Sequence, residues 1–195
     1  MDCFTGRLLV SSPELVDLNF RRCVVLLLDH NEDGAMGIVL NRPGGPKLRQ
    51  LLSAIPTPED ADAGPPPEGR TFVGGPVQPQ LVTMLHGFEQ LEHAGQAVVP
   101  GVRASHDLEV LHQILELMGG NDGSSEEVFR LYCGYSGWGA GQLEQEIQTG
   151  SWLVVNAERE HVFDCPTGFL WGRAIGQLGE PFRRFSLMPF NPEAN

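Results

Sequence analysis

Two short apolar runs joined by a polar turn are the clearest pattern in the chain. Residues 23–29 are apolar up to a final aspartate, and residues 35–41 are mostly apolar again. Runs this short, and rich in Val and Leu, favour buried strands over helices. The sequence between them, residues 30–34, is His-Asn-Glu-Asp-Gly, in which Asp-Gly supplies the positive φ of a tight turn. The pattern therefore predicts a β-hairpin over residues 23–41.

Other apolar stretches predict further short strands and several helices. Strands are expected at residues 6–11, 70–74, 80–86, 97–99, 128–134 and 151–156. Apolar residues at helical spacing predict helices at residues 13–20, 47–54, 105–118, 139–148 and 167–178. In the most regular of these, residues 105–118, Ser105 is expected to cap the start and Gly119-Gly120 to end the helix.

The order of these elements favours an α+β fold with a mixed or mainly antiparallel sheet. The hairpin requires antiparallel pairing, and the helices do not alternate strictly with the strands. A doubly wound α/β sheet is the alternative. A chain of 195 residues with 41% hydrophobic composition is expected to form one domain over residues 1–195. The Pro-, Gly- and acid-rich residues 55–70 are expected to form a mobile loop, and residues 181–195 a tail.

The charge balance changes which partners are expected. The formal net charge is -12 at pH 7, and Lys47 is the only lysine among 13 basic residues. The only adjacent basic pairs are Arg21-Arg22 and Arg183-Arg184. Proteins that bind duplex DNA concentrate positive charge on one face, so specific DNA binding is not expected, although a local arginine patch is compatible with this sequence. The negative charge likewise argues against an anionic membrane surface.

Neither a secretory signal nor a membrane span is indicated. The N-terminus lacks a basic segment followed by an apolar stretch, and residues 23–28, the longest apolar run, fall far short of the roughly 20 that a spanning helix needs. A cytoplasmic location is therefore expected. The four scattered cysteines, none in a Cys-x-x-Cys pair, are expected to be reduced thiols. P-loop and H-E-x-x-H motifs are missing, so no metal or cofactor is expected.

Residues 134–142, Gly-Tyr-Ser-Gly-Trp-Gly-Ala-Gly-Gln, approach two functional motifs without matching either. Trp138 replaces the last glycine of a nucleophile elbow, so Ser136 is interpreted as a turn residue. Gln142 replaces the third glycine of a dinucleotide-binding fingerprint. What remains is a glycine-rich entry into a helix, whose free N–H groups favour an anion or a carboxylate. Close backbone packing beneath Trp138 is the alternative reason for these glycines.

Three sequence blocks carry the strongest family signal. They are residues 30–43, residues 72–77 with His86, and residues 134–146 followed by Ser151-Trp152. Together, and over about residues 6–180, they resemble the bacterial AlgH/YqgE family. The resemblance implies an α+β fold in which a bifurcated, mainly antiparallel sheet forms a pseudo-barrel flanked by helices. It also implies a bacterial cytoplasmic protein without an agreed activity. The family name suggests a transcriptional regulator, which the net charge disfavours.

The hairpin turn, the turn at Gly74-Gly75 and the glycine-rich helix start are each more polar or glycine-rich than a purely structural element needs. We therefore expect them to converge on one concave surface, with Tyr135 or Trp138 as an apolar wall. The candidate ligand-binding residues are His30, Asn31, Glu32, Asn41, Gly74, Gly75, His86, Tyr135, Trp138, Gly139, Gln142 and Glu146.

Three functions are compatible with these residues. The first is a regulatory protein that binds a small, notably anionic, ligand or a peptide or protein partner. The second is an enzyme acting on a small polar or anionic substrate, with His30, Glu32 or His86 as acid–base groups. The third is a transcriptional regulator. The first is preferred because no nucleophile, metal cluster or cofactor motif is recognisable. The sequence leaves the catalytic residues and the oligomeric state open.

Overall fold

The computed structural model describes residues 3–47, 50–51, 70–91, 95–119 and 128–185. Within them lie ten strands: β1 (Arg7–Ser11), β2 (Val24–Asn31), β3 (Gly34–Val39), β4 (Pro43–Lys47), β5 (Arg70–Val73), β6 (Val77–His86), β7 (Gln96–Val99), β8 (Val102–Ser105), β9 (Phe129–Gly139) and β10 (Trp152–Asn156). The helices of the same residues are α1 (Leu108–Gly119), α2 (Gln142–Gln148), α3 (Arg159–Phe163) and α4 (Thr167–Gly176), with short 3-10 helices at Glu89–Leu91 and Phe182–Phe185.

The strands form one sheet that is antiparallel almost throughout. Its main order is β10-β1-β2-β3-β9-β6-β8-β7, while β4 pairs with β5, and β5 joins β9 in parallel. One edge of β9 pairs with β5 at Tyr132 and Cys133 and with β3 at residues 136–139. The sheet therefore forks along β9. The α+β fold with a bifurcated, mainly antiparallel sheet is confirmed.

Gly74 lies at the fork, where the backbones of several strands meet. Its N–H donates to the carbonyl of Cys133 (2.8 Å), and its own carbonyl accepts the N–H of Val39 (2.8 Å). A Cβ on Gly74 would collide with the carbonyl oxygen of Gly134. Close backbone packing therefore explains the glycine at this point.

The sheet curls so that β7 returns towards the first two strands. Gln96 Nε2 donates to the carbonyl of Leu28 in β2 (2.8 Å), and a Cβ on Gly6 would lie 2.6 Å from the carbonyl oxygen of Val98. The result is a curled half-barrel. Its concave face holds the largest core, in which side chains from both ends of the sheet pack with those of α3 and α4.

Two smaller cores lie on the outer face of the sheet. One joins α2, through Leu143 and Ile147, to side chains of β1, β2, β3, β9 and β10. The other joins α1 to β6 and β9 and is built by Met84, Val110, Leu111, Ile114, Phe129 and Leu131. None of the helices in the described residues combines the length and apolar character that crossing a bilayer requires.

Residues 13–20, predicted as a short helix, form turns instead. Asp17 Oδ1 accepts the N–H groups of Asn19 and Phe20 (2.9 and 3.2 Å). A side-chain acceptor of this kind competes with the helical hydrogen-bond pattern. The prediction was wrong because it weighed apolar spacing and overlooked the turn-forming aspartate.

The predicted hairpin is confirmed, with a shorter turn than expected. His30 and Asn31 remain in β2, and only Glu32 and Asp33 link the two strands. Similarly, β9 continues to Gly139 through residues that were predicted to lead into a helix. A strand, not a loop, therefore presents most of the glycine-rich segment.

The remaining differences concern the start of α1, two strands and the segments that the structure does not describe. α1 begins at Leu108, and Asp107 Oδ1, not Ser105, accepts the first-turn N–H of Glu109 (2.9 Å). β4 and β8 were not predicted. Most of the predicted helix at residues 47–54, nearly all of residues 55–70, which were predicted to form a mobile loop, and residues 186–195 of the predicted tail lie outside the described residues.

Candidate functional site

A β-bulge determines which face of the sheet His30 occupies. Leu27 pairs with Gly37 and Asp29 with Met36, so Leu28 is the extra residue on β2. The bulge shifts the alternation of side chains by one position. His30 therefore shares the outer face with its partner Ala35, towards α2.

His30 is buried and both its ring nitrogens have protein partners. Nδ1 accepts the N–H of Phe4 (3.1 Å), which places the ring proton on Nε2, and Nε2 donates to Glu144 Oε1 in α2 (3.0 Å). The Phe4 ring stacks on the imidazole with 5.2 Å between centroids. The backbone N–H of Glu144 itself, aided by His30, holds the pKa of the Glu144 carboxyl below its usual range. His30 thus ties the hairpin and the N-terminal segment to α2.

Glu146 of α2 is a second polar link to the same face. Its Oε2 accepts the indole N–H groups of Trp138 (3.0 Å) and Trp152 (2.7 Å). Its Oε1 accepts Gln142 Nε2 (2.9 Å), and Gln142 Oε1 accepts the N–H of Gly139 (3.0 Å). The two indole rings meet edge to face, 5.9 Å apart. The carboxylate therefore fixes α2 to two buried tryptophans.

The concave side of the same strands carries a different set of residues. Gly34 pairs with Gly139, and Met36 pairs with Gly137, so these four residues share one face with Tyr135. Gly137 and Gly139 are exposed, while Met36 and Tyr135 are half-buried against the core. We call Gly34, Met36, Tyr135, Gly137 and Gly139 the glycine face.

The glycines of the glycine face are not all explained by packing. Gly34 has a φ of 140°, and a Cβ there would collide with the carbonyl oxygen of Trp138. At Gly137 a Cβ would lie 3.2 Å from a ring carbon of Tyr135. At Gly139 the nearest atom would be 3.9 Å away, and the φ of this residue is not positive. That atom is Gln142 Oε1, at ordinary van der Waals distance, so a side chain at position 139 would fit without a collision.

The other candidate residues lie apart from this face or at its margin. Asn31 and Glu32 are exposed at the hairpin tip, where Asn31 Nδ2 donates to Asp29 Oδ2 (3.1 Å). Gly74 and Gly75 lie at the fork, and a Cβ on Gly75 would collide with the backbone of Tyr135. Both glycines are thus accounted for by the crossing of strands.

Asn41, two residues beyond the end of β3, and His86, the last residue of β6, are both buried. Asn41 Oδ1 accepts the N–H of Val24 (2.9 Å), and its Nδ2 donates to the carbonyl of Arg22 (2.9 Å). His86 pairs with Phe129 at the other end of β9 from Gly139. Neither residue joins the hairpin tip and α2 in one site.

The predicted convergence is therefore corrected in one respect. The hairpin tip and residues 135–142 do meet, but on two opposite faces of the sheet. His30, Trp138 and Glu146 belong to the outer face with α2, whereas Tyr135 and Gly139 belong to the concave face, and Gln142 reaches from α2 to the backbone of Gly139. Sequence reasoning missed Glu144. A buried histidine in an apolar strand needs a polar partner, and this was the available signal.

The chemistry that these groups could perform is limited by burial. Ser136 is fully buried, and its hydroxyl faces the carbonyl of Gly74 (3.4 Å). Burial raises the pKa of the Cys23 thiol to about 12. Within the described part of the chain, no three His, Cys, Asp or Glu side chains form a group that could hold a metal ion.

Family and sequence comparisons agree with one another. The family model described as AlgH-like matches residues 8–183. A UPF0301 protein of Chlorobium limicola is 34% identical over 191 residues, covering 97% of this chain and 95% of that protein. A UPF0301 protein of Thioalkalivibrio sulfidiphilus is 37% identical over 176 residues, covering 90% of each.

Two solved structures share the architecture. The solution structure of the AlgH protein from Pseudomonas aeruginosa has a TM-score of 0.71 and 30% identity, covering 97% of this chain and 96% of that one. The crystal structure of protein DIP2367 from Corynebacterium diphtheriae has a TM-score of 0.73 at 20% identity, covering 96% and 94%. The second likeness concerns the fold alone.

Proposed function

The chain belongs to the AlgH-like family, and on that premise we propose that it is a regulatory protein that binds a small ligand or a short peptide on the glycine face. One observation carries the proposal. Gly139 is an exposed glycine that neither packing nor backbone conformation requires. A bare, accessible backbone of this kind allows a ligand to approach closely.

The surroundings of Gly139 suit recognition of a small molecule. Met36 and Tyr135 supply an apolar wall, and the exposed glycines Gly137 and Gly139 let a ligand approach the strand without meeting a side chain. Exposed carboxylates at the hairpin tip, those of Asp29 and Glu32, favour a neutral or cationic group beside them over an anion.

An enzymatic role has weaker support from the same residues. Both ring nitrogens of His30 are engaged, and His86 and Ser136 are fully buried. A general base must reach the proton that it removes, and none of these three groups is presented to solvent; of the three predicted acid–base groups, Glu32 alone is exposed, at the hairpin tip. We therefore prefer a cytoplasmic regulatory role for this chain, because such a role requires no exposed catalytic group.

The glycine face can be tested with a matched pair of substitutions. We would screen small amines, amino acids, nucleosides and short peptides by thermal shift and then map each hit by NMR. Gly139→Ala adds a methyl group that would contact Gln142 Oε1 at an ordinary 3.9 Å, so the fold should survive, while ligand affinity should fall about ten-fold or more through steric exclusion. Ala140→Ser, at the adjacent exposed residue, is the control and should leave affinity unchanged.

Two results of the same experiment would show that the glycine face is not the ligand site. Hits that perturb amides elsewhere but not those of residues 135–139 would place the binding site on another surface. Equal affinity in Gly139→Ala and Ala140→Ser proteins would likewise refute the glycine face as the ligand site.

A further inference from the structure

The two adjacent basic pairs of the sequence come together in the folded chain. The guanidinium carbon of Arg22 lies 5.4 Å from the ring centroid of Trp171 in α4. Trp171 contacts Phe185 edge to face at 5.8 Å, and the guanidinium carbon of Arg184 lies 4.9 Å from the Phe185 ring. A short series of aromatic contacts therefore connects the first basic pair to the second.

A further arginine adjoins this cluster. Arg42 Nη2 donates to the backbone carbonyl of Arg21. We call Arg21, Arg22, Arg42, Arg183 and Arg184 the arginine face; Arg21, Arg183 and Arg184 are exposed, and the other two are half-buried. Its arginines lie near the start of β2 and the end of α4, whereas the glycine face lies at the other end of the β2–β3 hairpin.

Placing these arginines together is electrostatically unusual for this chain. The net charge is -12, and this face holds five of the 13 basic residues. Burial, more than the neighbouring Arg21, lowers the pKa of Arg42, while the nearby Cys23 raises it. A cluster of guanidinium groups is complementary to a partner that brings carboxylates.

Exposed aliphatic side chains border the arginine face. Val16 and Leu18 are 81% and 80% exposed, the highest values among the large hydrophobic residues described. Leu18 lies in the turn closed by the N–H of Arg21 and the carbonyl of Asp17 (2.7 Å). Nucleic-acid phosphates would gain little from these aliphatic groups, whereas a peptide could contact both.

We propose that the arginine face, with Val16 and Leu18 at its margin, docks an acidic segment of another protein in which carboxylates alternate with apolar side chains. Guanidinium groups bind carboxylates in a planar, bidentate manner, which lysines do not reproduce. Charge complementarity selects the acidic segment, and the two aliphatic residues distinguish it from a purely acidic chain. The proposal is independent of ligand binding on the glycine face.

The full-length protein can be tested with a defined probe. A fluorescein-labelled peptide of about 12 residues, alternating Glu with Leu, would be titrated by anisotropy at about 50 and about 150 mM salt. Arg184→Glu should weaken its binding by at least about five-fold, and Leu18→Ser should weaken it several-fold. Arg7→Glu, an exposed charge reversal on β1, is the control of equal charge change and should have a much smaller effect.

Four outcomes would overturn the proposal or one part of it. A peptide alternating Glu with Ser should bind less tightly and should not distinguish Leu18→Ser; equal binding of both peptides would refute the role of the aliphatic residues. Tighter binding of a labelled oligonucleotide would identify a phosphate site and overturn the proposal. A doubled mass in sedimentation that Arg184→Glu abolishes would assign the face to a second copy of this chain. Equal effects of Arg184→Glu and Arg7→Glu would show general charge attraction only.

Discussion

Replacing Glu146 by Ala should destabilise the protein substantially, because this carboxylate is the hydrogen-bond acceptor for two buried indoles. Trp138 and Trp152 are 7% and 2% exposed, so water cannot freely replace the lost acceptor. Leaving a buried donor without an acceptor costs about 1–3 kcal/mol for each group. The two indoles together therefore give about 2–6 kcal/mol. For a chain of this size each kcal/mol lowers Tm by about 2–4 °C, so the expected decrease is about 10 °C.

The assay is thermal and urea unfolding followed by tryptophan fluorescence, which also reports directly on the two indoles. Glu146→Gln keeps one carbonyl acceptor and should lose less, about 1 kcal/mol. Gln145→Ala, an exposed change on the same helix, is the control and should stay within about 0.5 kcal/mol of the parent protein. If Glu146→Ala unfolds at the same temperature as Gln145→Ala, the carboxylate does not fix α2 to the sheet, and a ligand-binding role for Glu146 regains support.

Three further results are expected. The pKa of Glu144 is lowered in the folded protein, so the stability that its ionised form contributes is present above the ordinary value of 4.5 and is lost as pH falls through the lower folded value. The Tm difference between the parent protein and the Glu144→Gln variant should therefore shrink below about pH 4. A constant difference from about pH 3 to 7 would contradict this. Iodoacetamide at about pH 7.5 should label exposed Cys3, whose pKa the Thr5 side chain lowers, well before buried Cys23, and equal labelling in peptide mapping would count against it. Amide exchange in residues 55–70 should be faster than in α1, and comparable protection would remove the mobile-loop prediction.

Local patterns carried most of what the sequence could predict. The hairpin followed from two apolar runs and an Asp-Gly turn, because both signals lie within 20 or so residues. The turns near Asp17 were missed, since a side-chain acceptor outweighed the helical spacing of apolar residues. The fork at Gly74 has no local signal either, because three strands distant in sequence create it.

The candidate site was only partly accessible from sequence for a related reason. Which face a strand residue occupies depends on register, and a single bulge at Leu28 reverses it for His30. The His30–Glu144 contact joins residues 114 positions apart, a distance that no short motif encodes. Glycine-rich composition singled out residues 134–142 as a candidate site. It could not separate Gly74, which packing requires, from Gly139, which it does not.

The pairing of β1 with β10 has a consequence for how the chain reaches this structure. Arg7 lies opposite Asn156, so β1 pairs with a strand that is synthesised about 150 residues later in the chain. Until then β1 can pair only with β2, and the outer-face core that it shares with Trp152 cannot form. Contacts between such distant positions require large loops to close first, which slows folding to the range of milliseconds to seconds. The sheet can therefore be completed only after β10 has been made, and until then apolar strands that it will cover remain accessible to chaperones.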